Sequence, residues 1–332
     1  KESQINKNVF GASAFFILII TAGASIWPKS FESFFSSIQQ WLLHSTSWIY
    51  VLSVAIIAFI VLWLMLSRVG EIKLGPDHSL PEYTNISWFA MLFSAGMGIG
   101  LLFFGVAEPM MHFTSPPLGE GQTIEAAREA MKITFFHWGL HAWAIYVVTG
   151  LSLAYYAYTR DMPLTIRSAL TPLLGRHVNG FLGHLVDVLG VVATILGVSV
   201  TIGFGVSQFV DGVYAVTGVE WLMNGDADAP KPSTVGLIAA LMVIMFLSIL
   251  SAVSGVGRGI KYLSNLNLVL SIILLLTFVF FGSFMFAMTK FGVGLVDYIL
   301  HFVQMSFGAY SPQTVEAFTA ALPDAASALA AE

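Results

Sequence analysis

The chain has 332 residues, 57% of them hydrophobic and only 10% charged, with 27 phenylalanines and a mean hydropathy of +0.81. This excludes an ordinary water-soluble domain, in which about a quarter of residues are charged, and makes the lipid bilayer the natural solvent and partner. The absence of cysteine removes disulfide, thiolate and cysteine-metal chemistry, and a net charge of -5 carried by acidic loops gives no signal for nucleic acid.

A membrane-spanning helix needs about 20 mainly apolar residues. Such stretches lie near 9–27, 47–67, 87–107, 131–157, 183–210, 235–256 and 262–289, which predicts seven spans. Lys1 and Lys7 precede the first, and Ala22-Gly23-Ala24 has the look of a signal cleavage site. Its length of about 18 apolar residues nevertheless suits a retained span. With an interior N-terminus, nine of the 14 Lys and Arg residues fall on the inside, among them Arg68, Arg160, Arg167 and Arg258. That asymmetry predicts a cytoplasmic N-terminus. Residues 27–47 read as two aromatic-rich turns at the outer interface, and Gly75-Pro76-Asp77 as a turn within a polar loop from Arg68 to Asn85.

The third predicted span contains Phe93-Ser94-Ala95-Gly96-Met97-Gly98-Ile99-Gly100. Each interior glycine costs a helix about 1 kcal/mol relative to alanine. Close helix packing would explain a single glycine pair. Three glycines at alternate positions do not share one helical face, so the expectation is a helix broken here, its freed backbone groups lining a cavity at membrane depth.

The fourth span carries Phe135-Phe136-His137-Trp138-Gly139-Leu140-His141-Ala142-Trp143-Ala144-Ile145-Tyr146. Read as one continuous helix at about 100° per residue, it places Trp143 about 140° and Tyr146 about 80° from Trp138, three rings on one broad side. Such rings either pack as ordinary core or wall a cage for a cation that cannot donate hydrogen bonds. His137 and His141 have an i,i+4 spacing able to hold zinc, although Trp138 stands where a metalloprotease would need its glutamate.

Farther along, Leu164 to Leu170 is predicted as a short cytoplasmic helix and Gly175-Arg176-His177 as a turn. The fifth span opens with Asp187, read as a capping or interface residue. It then offers Thr194, Ser199, Thr201 and Gln208, for either cation coordination or helix-helix hydrogen bonds.

On these residues the chain resembles the betaine/choline/carnitine transporter family. The glycine run from Phe93 to Gly100, with Ala107-Glu108-Pro109 after it, is similar to the family's glycine stretch, and His137-Trp138 with Trp143 and Tyr146 to its substrate-box helix. Pro116-Pro117 through Ala127 and Leu164 to Leu170 resemble choline-transporting members. The resemblance implies an all-α, inverted-repeat membrane transporter: two leading helices over residues 1–80, a first five-helix repeat over 81–310, and a tail over 311–332 where a second repeat would be expected. Alanine-rich and acidic, that tail has no span-length apolar run, so the second repeat and its tryptophan cluster are expected to be absent from this chain.

By the same resemblance, Trp138, Trp143 and Tyr146 pack on a trimethylammonium group, and the backbone around Ala95, Met97 and Gly98 faces the polar end of the solute. Carbonyls of Ser94 and Met97 contribute to a Na+ site. A second ion site would use two hydroxyls one turn apart on the fifth span, where this chain has Thr194 and Val198. The reading is therefore uptake of choline or glycine betaine by cation symport, Na+ rather than H+, in osmotic protection or nutrition. It implies a bacterial inner-membrane protein with no catalytic residue and no cofactor beyond the coupling ion, and the resemblance admits a homotrimer. A solute-binding sensor or assembly fragment and a zinc membrane hydrolase are the alternatives.

Overall fold

A computed structural model describes residues 5–225 and 230–308. The tail at 311–332 lies outside the described residues. The helices are α1 (Lys7–Ile26), α2 (Pro28–Leu66), α3 (Asn85–Ile99), α4 (Gly105–Thr114), α5 (Ile124–Trp138) and α6 (Leu140–Ala154). They continue as α7 (Ile166–Ala169), α8 (Thr171–Leu174), α9 (Phe181–Thr217), α10 (Thr234–Ser254), α11 (Lys261–Phe281), α12 (Phe284–Leu300) and α13 (Phe302–Phe307). A single two-residue ladder among the described residues pairs Met223 with Pro232 and Asn224 with Lys231.

The helix starts follow the sequence. Asn6 accepts from the N–H groups of Asn8 and Val9, Thr123 from that of Ala126, and Ser233 from that of Gly236, each satisfying donors that the first turn leaves orphaned. Among the described residues, six helical segments are long and apolar enough to cross a membrane: Lys7–Ile26, Pro28–Leu66, Ile124–Thr159, Phe181–Thr217, Thr234–Ser254 and Val256–Phe281. The third predicted span is helical but outside that set; α3 runs into a π-helical turn at Gly100–Phe104, after which α4 follows.

Three boundaries differ from the sequence expectation. Residues 28–66 form one helix, not two aromatic turns before a span, since serine, glutamine and glutamate do not stop a helix that Pro28 starts well at its first position. The seventh span ends at Phe281; Gly282, extended at φ -94° and ψ -179°, turns the chain into α12. The fourth span is interrupted at Gly139.

The chain divides into two packed units. One comprises Lys1–Ser79, Met111–Ala193 and Phe291–Glu332. Here α2 packs along α6 and α13, around Ile133, Tyr298 and Met305, with Phe135, Phe136 and Phe302 against them. Arg167 pairs with Asp187 at 3.1 Å and also donates its backbone N–H to that carboxylate, so Asp187 anchors the start of α7 and is no cap of α9. The other unit comprises Leu80–Met110 and Thr194–Lys290. There α3 packs along α11, and Val206, Val210, Leu222 and Ala240 form the buried cluster.

Candidate functional site

The first unit holds the ring-bearing helix. Gly139 takes φ -95° and ψ -143°, which ends α5 and restarts the chain as α6. A Cβ there would stand 2.3 Å from the Phe135 carbonyl oxygen and 3.2 Å from Cε1 of Tyr298, so glycine is the residue that fits. The break corrects the single-helix reading: Trp138 ends α5, and its direction no longer follows from α6 by 100° steps. Trp143 and Tyr146 remain on one helix, and their rings meet at 5.5 Å between centroids with planes 41° apart. Trp143 is half-buried and Tyr146 is 59% exposed.

The two histidines separate as well. His137 is exposed, with its ring 5.6 Å from that of His112. His141 is buried, Nδ1 lying 2.8 Å from the Tyr298 hydroxyl and Nε2 2.7 Å from Ser306 Oγ. Ser306 spends its one hydroxyl proton on the Phe302 carbonyl at 2.7 Å, so it accepts from His141 Nε2–H, which leaves Nδ1 to accept from Tyr298 O–H. Both nitrogens of His141 are thus committed to protein partners, and the zinc pair suggested by the i,i+4 spacing is not formed.

Arg128 on α5 grips Asp297 on α12 bidentately, Nη2 at 2.6 Å from Oδ1 and Nε on the other oxygen. The hydrogen bonds from Arg128 hold the Asp297 carboxyl below its ordinary range; burial opposes this, and the charges of Arg128, His301 and Lys132 add to the lowering.

The second unit holds the glycine helix. The α-helical pattern of α3 persists through Ala95, Met97 and Gly98, so the expected unwinding at the glycines is replaced by the π turn that begins at Gly100. Inserting one residue per turn misaligns the carbonyl ladder locally, a milder way of freeing backbone groups than a break. A Cβ at Gly98 would meet nothing within 4 Å, so close packing does not explain this glycine. Ala95 is exposed, and the side chain of Met97 lies outside what is described. The Ser94 hydroxyl donates to the Ser264 carbonyl at 3.4 Å and accepts from Asn267 Nδ2 at 3.0 Å, which ties α3 to α11. Thr194 and Val198 lie on α9 along a groove of about 650 Å³ shared with Thr234, Leu237 and Leu241 of α10. Ser199 and Thr201 donate to carbonyls of their own helix, those of Ile195 and Gly197.

The candidate residues therefore sort by unit: Trp138, Trp143 and Tyr146 in the first, Ser94, Ala95, Met97, Gly98 and Thr194 in the second. Sequence reasoning missed Tyr298, Ser306, Asp297 and Asn267. A signal existed, since polar side chains inside apolar runs mark partners or functional sites.

Six helical segments long and apolar enough to cross a membrane, among the described residues, mark a multi-pass membrane protein by class. The chain belongs to the BCCT, betaine/carnitine/choline transporter family, whose description matches residues 8–321. It is 44% identical over 314 residues to a glycine betaine transporter of Acinetobacter baylyi, covering 94% of this chain and 46% of the relative. It is 42% identical over 302 residues to the glycine betaine transporter OpuD of Bacillus subtilis, covering 89% and 57%. It is 36% identical over 312 residues to a high-affinity choline transport protein of Escherichia coli K12, covering 94% and 44%. The chain spans about half the length of these curated relatives.

Proposed function

We propose that the gene product containing this chain takes up quaternary-ammonium solutes, choline and glycine betaine, by cation symport across a bacterial inner membrane. The observation that carries this is the Trp143–Tyr146 pair on α6. A trimethylammonium head offers no hydrogen-bond donor and a diffuse positive charge, so aromatic faces, worth about 0.5–2 kcal/mol each, are its natural partners. Trp138, at the end of α5, is the third ring of this reading. Ala95, Met97 and Gly98 enter this proposal by family resemblance alone, as backbone suited to the polar end of such a solute.

Na+ suits the ion site better than H+. The segment Asn85–Ile99 carries no ionisable side chain to shuttle a proton. The carbonyls of Ser94 and Met97, with Thr194 as a further hydroxyl, are hard oxygen donors of the kind that alkali cations take. An N-terminus in the cytoplasm follows from the loop charges, a homotrimer is part of the proposal by family membership, and osmotic protection is the role that such solutes serve.

Uptake of radiolabelled choline and glycine betaine into transport-deficient cells expressing the full gene product tests this. Saturable uptake of at least one solute that falls when Na+ is replaced by K+ is expected. Saturable uptake unchanged in K+ would contradict the ion assignment, and binding without uptake would favour the sensor reading instead.

A further inference from the structure

The bend at Gly139 is held from outside its own helix pair, by three residues of α12 and α13. Asp297 takes the bidentate grip of Arg128 on α5, before the bend. Next to it in sequence, Tyr298 packs its ring against Gly139 itself and, at 6.4 Å and 21°, against Phe135. Beyond the bend, His141 on α6 receives the Tyr298 hydroxyl and donates to Ser306 of α13, whose proton closes the chain on Phe302. Tyr298 and Ser306 are among the most completely buried side chains in the protein, at 2% and 1% exposure, and His141 matches them at 2%.

His141 and Trp143 are two residues apart on α6, about 200° around the helix, and Tyr146 is about 140° from His141. The helix is thus pinned on one face and presents its ring pair on the other. A pin about one turn from the rings sets both the azimuth of α6 and its angle to α5, and hence where the Trp143–Tyr146 wall stands.

We infer that Tyr298, His141 and Ser306 are positioning residues for solute affinity: the α12–α13 corner splints the Gly139 bend and so fixes the aromatic wall that binds the quaternary ammonium. This rests on the solute-binding reading of Trp143 and Tyr146. None of the three touches the solute. They act through the orientation of α6, and a fully satisfied buried hydrogen-bond chain is the kind of contact that specifies one arrangement over its neighbours.

The test uses the full gene product, with choline and glycine betaine as probes. Tyr298→Phe keeps the ring and deletes the hydroxyl, Ser306→Ala removes the acceptor, and His141→Gln keeps one donor and one acceptor where His141→Ala keeps neither. Half-saturation, maximal rate and the amount of protein in the membrane are read for each, and intrinsic tryptophan fluorescence is titrated with choline. Losing one net hydrogen bond corresponds to about a three- to tenfold change. Half-saturation is expected to rise by that factor in Tyr298→Phe and Ser306→Ala and by more in His141→Ala, which loses two hydrogen bonds, with maximal rate per molecule retained and with His141→Gln recovering most of the loss.

Unchanged half-saturation in all three, or a loss of membrane protein alone, would overturn the proposal. Ser306→Ala, the smallest change, keeps the comparison measurable if a larger one misfolds. Trp143→Ala in parallel separates the two layers. If it weakens binding while the splint variants do not, the splint is wrong and the wall stands; if it has no effect, the wall reading fails and the splint falls with it.

Discussion

At the residue scale, Gly139 and Gly98 look alike in sequence and differ in the fold. Gly139 abuts the carbonyl of Phe135 and the ring of Tyr298, so Gly139→Ala forces backbone to move. A cost of about 1–3 kcal/mol is expected, of the size seen on overpacking, and thermal unfolding of the purified protein would register it as a lower midpoint. Gly98 faces open space, and Gly98→Ala should keep or raise the midpoint, by up to about 1 kcal/mol of helix propensity, while lowering solute uptake. The ring pair was legible because Trp143 and Tyr146 sit three apart on one helix, a spacing that survives any bend before them. His141 was not legible: its partners Tyr298 and Ser306 lie 157 and 165 residues away, and no local period encodes a contact of that range.

At the scale of elements, apolar periodicity located the helices and failed at their ends and breaks. A continuous helix through Trp138 requires that Gly139 leave the helix intact, and it does not. What decides the matter is tertiary: Tyr298 occupies the space above Gly139, and α12 is clamped to α5 by Arg128 and Asp297. The same clamp gives a pH dependence. The folded pKa of Asp297 is depressed, so its stabilisation is complete above the ordinary aspartate value, about 3.9, and is lost as pH falls through the lower folded value. Asp297→Asn should therefore unfold at a lower temperature than the unsubstituted protein at pH 6. That gap should narrow progressively below about pH 4. A gap that stayed constant down to about pH 3 would mean that the charge of Asp297 contributes nothing. The glycine helix was legible as a helix and not in its geometry. A break at Gly96 and Gly98 is what the glycine spacing predicts, whereas α3 stays α-helical to Ile99 and passes into a π turn at Gly100.

At the scale of the whole molecule, composition alone placed the chain in a bilayer, and the many exposed apolar side chains, such as Phe280 at 76% and Phe281 at 89%, give lipid a surface to wet. Orientation is testable because the chain has no cysteine of its own. With the N-terminus inside, His78→Cys should label with a membrane-impermeant maleimide only from the cytoplasmic face, and Glu120→Cys only from outside; the reverse pattern would invert the topology. The central claim, that the wall on α6 holds a quaternary ammonium group, is tested most directly by choline binding to the full gene product carrying Trp143→Ala or Trp143→Phe. The account predicts that alanine weakens binding about tenfold or more, one ring face being worth up to about 2 kcal/mol, while phenylalanine retains most of the affinity. Equal affinity in the unsubstituted protein and in Trp143→Ala would contradict it.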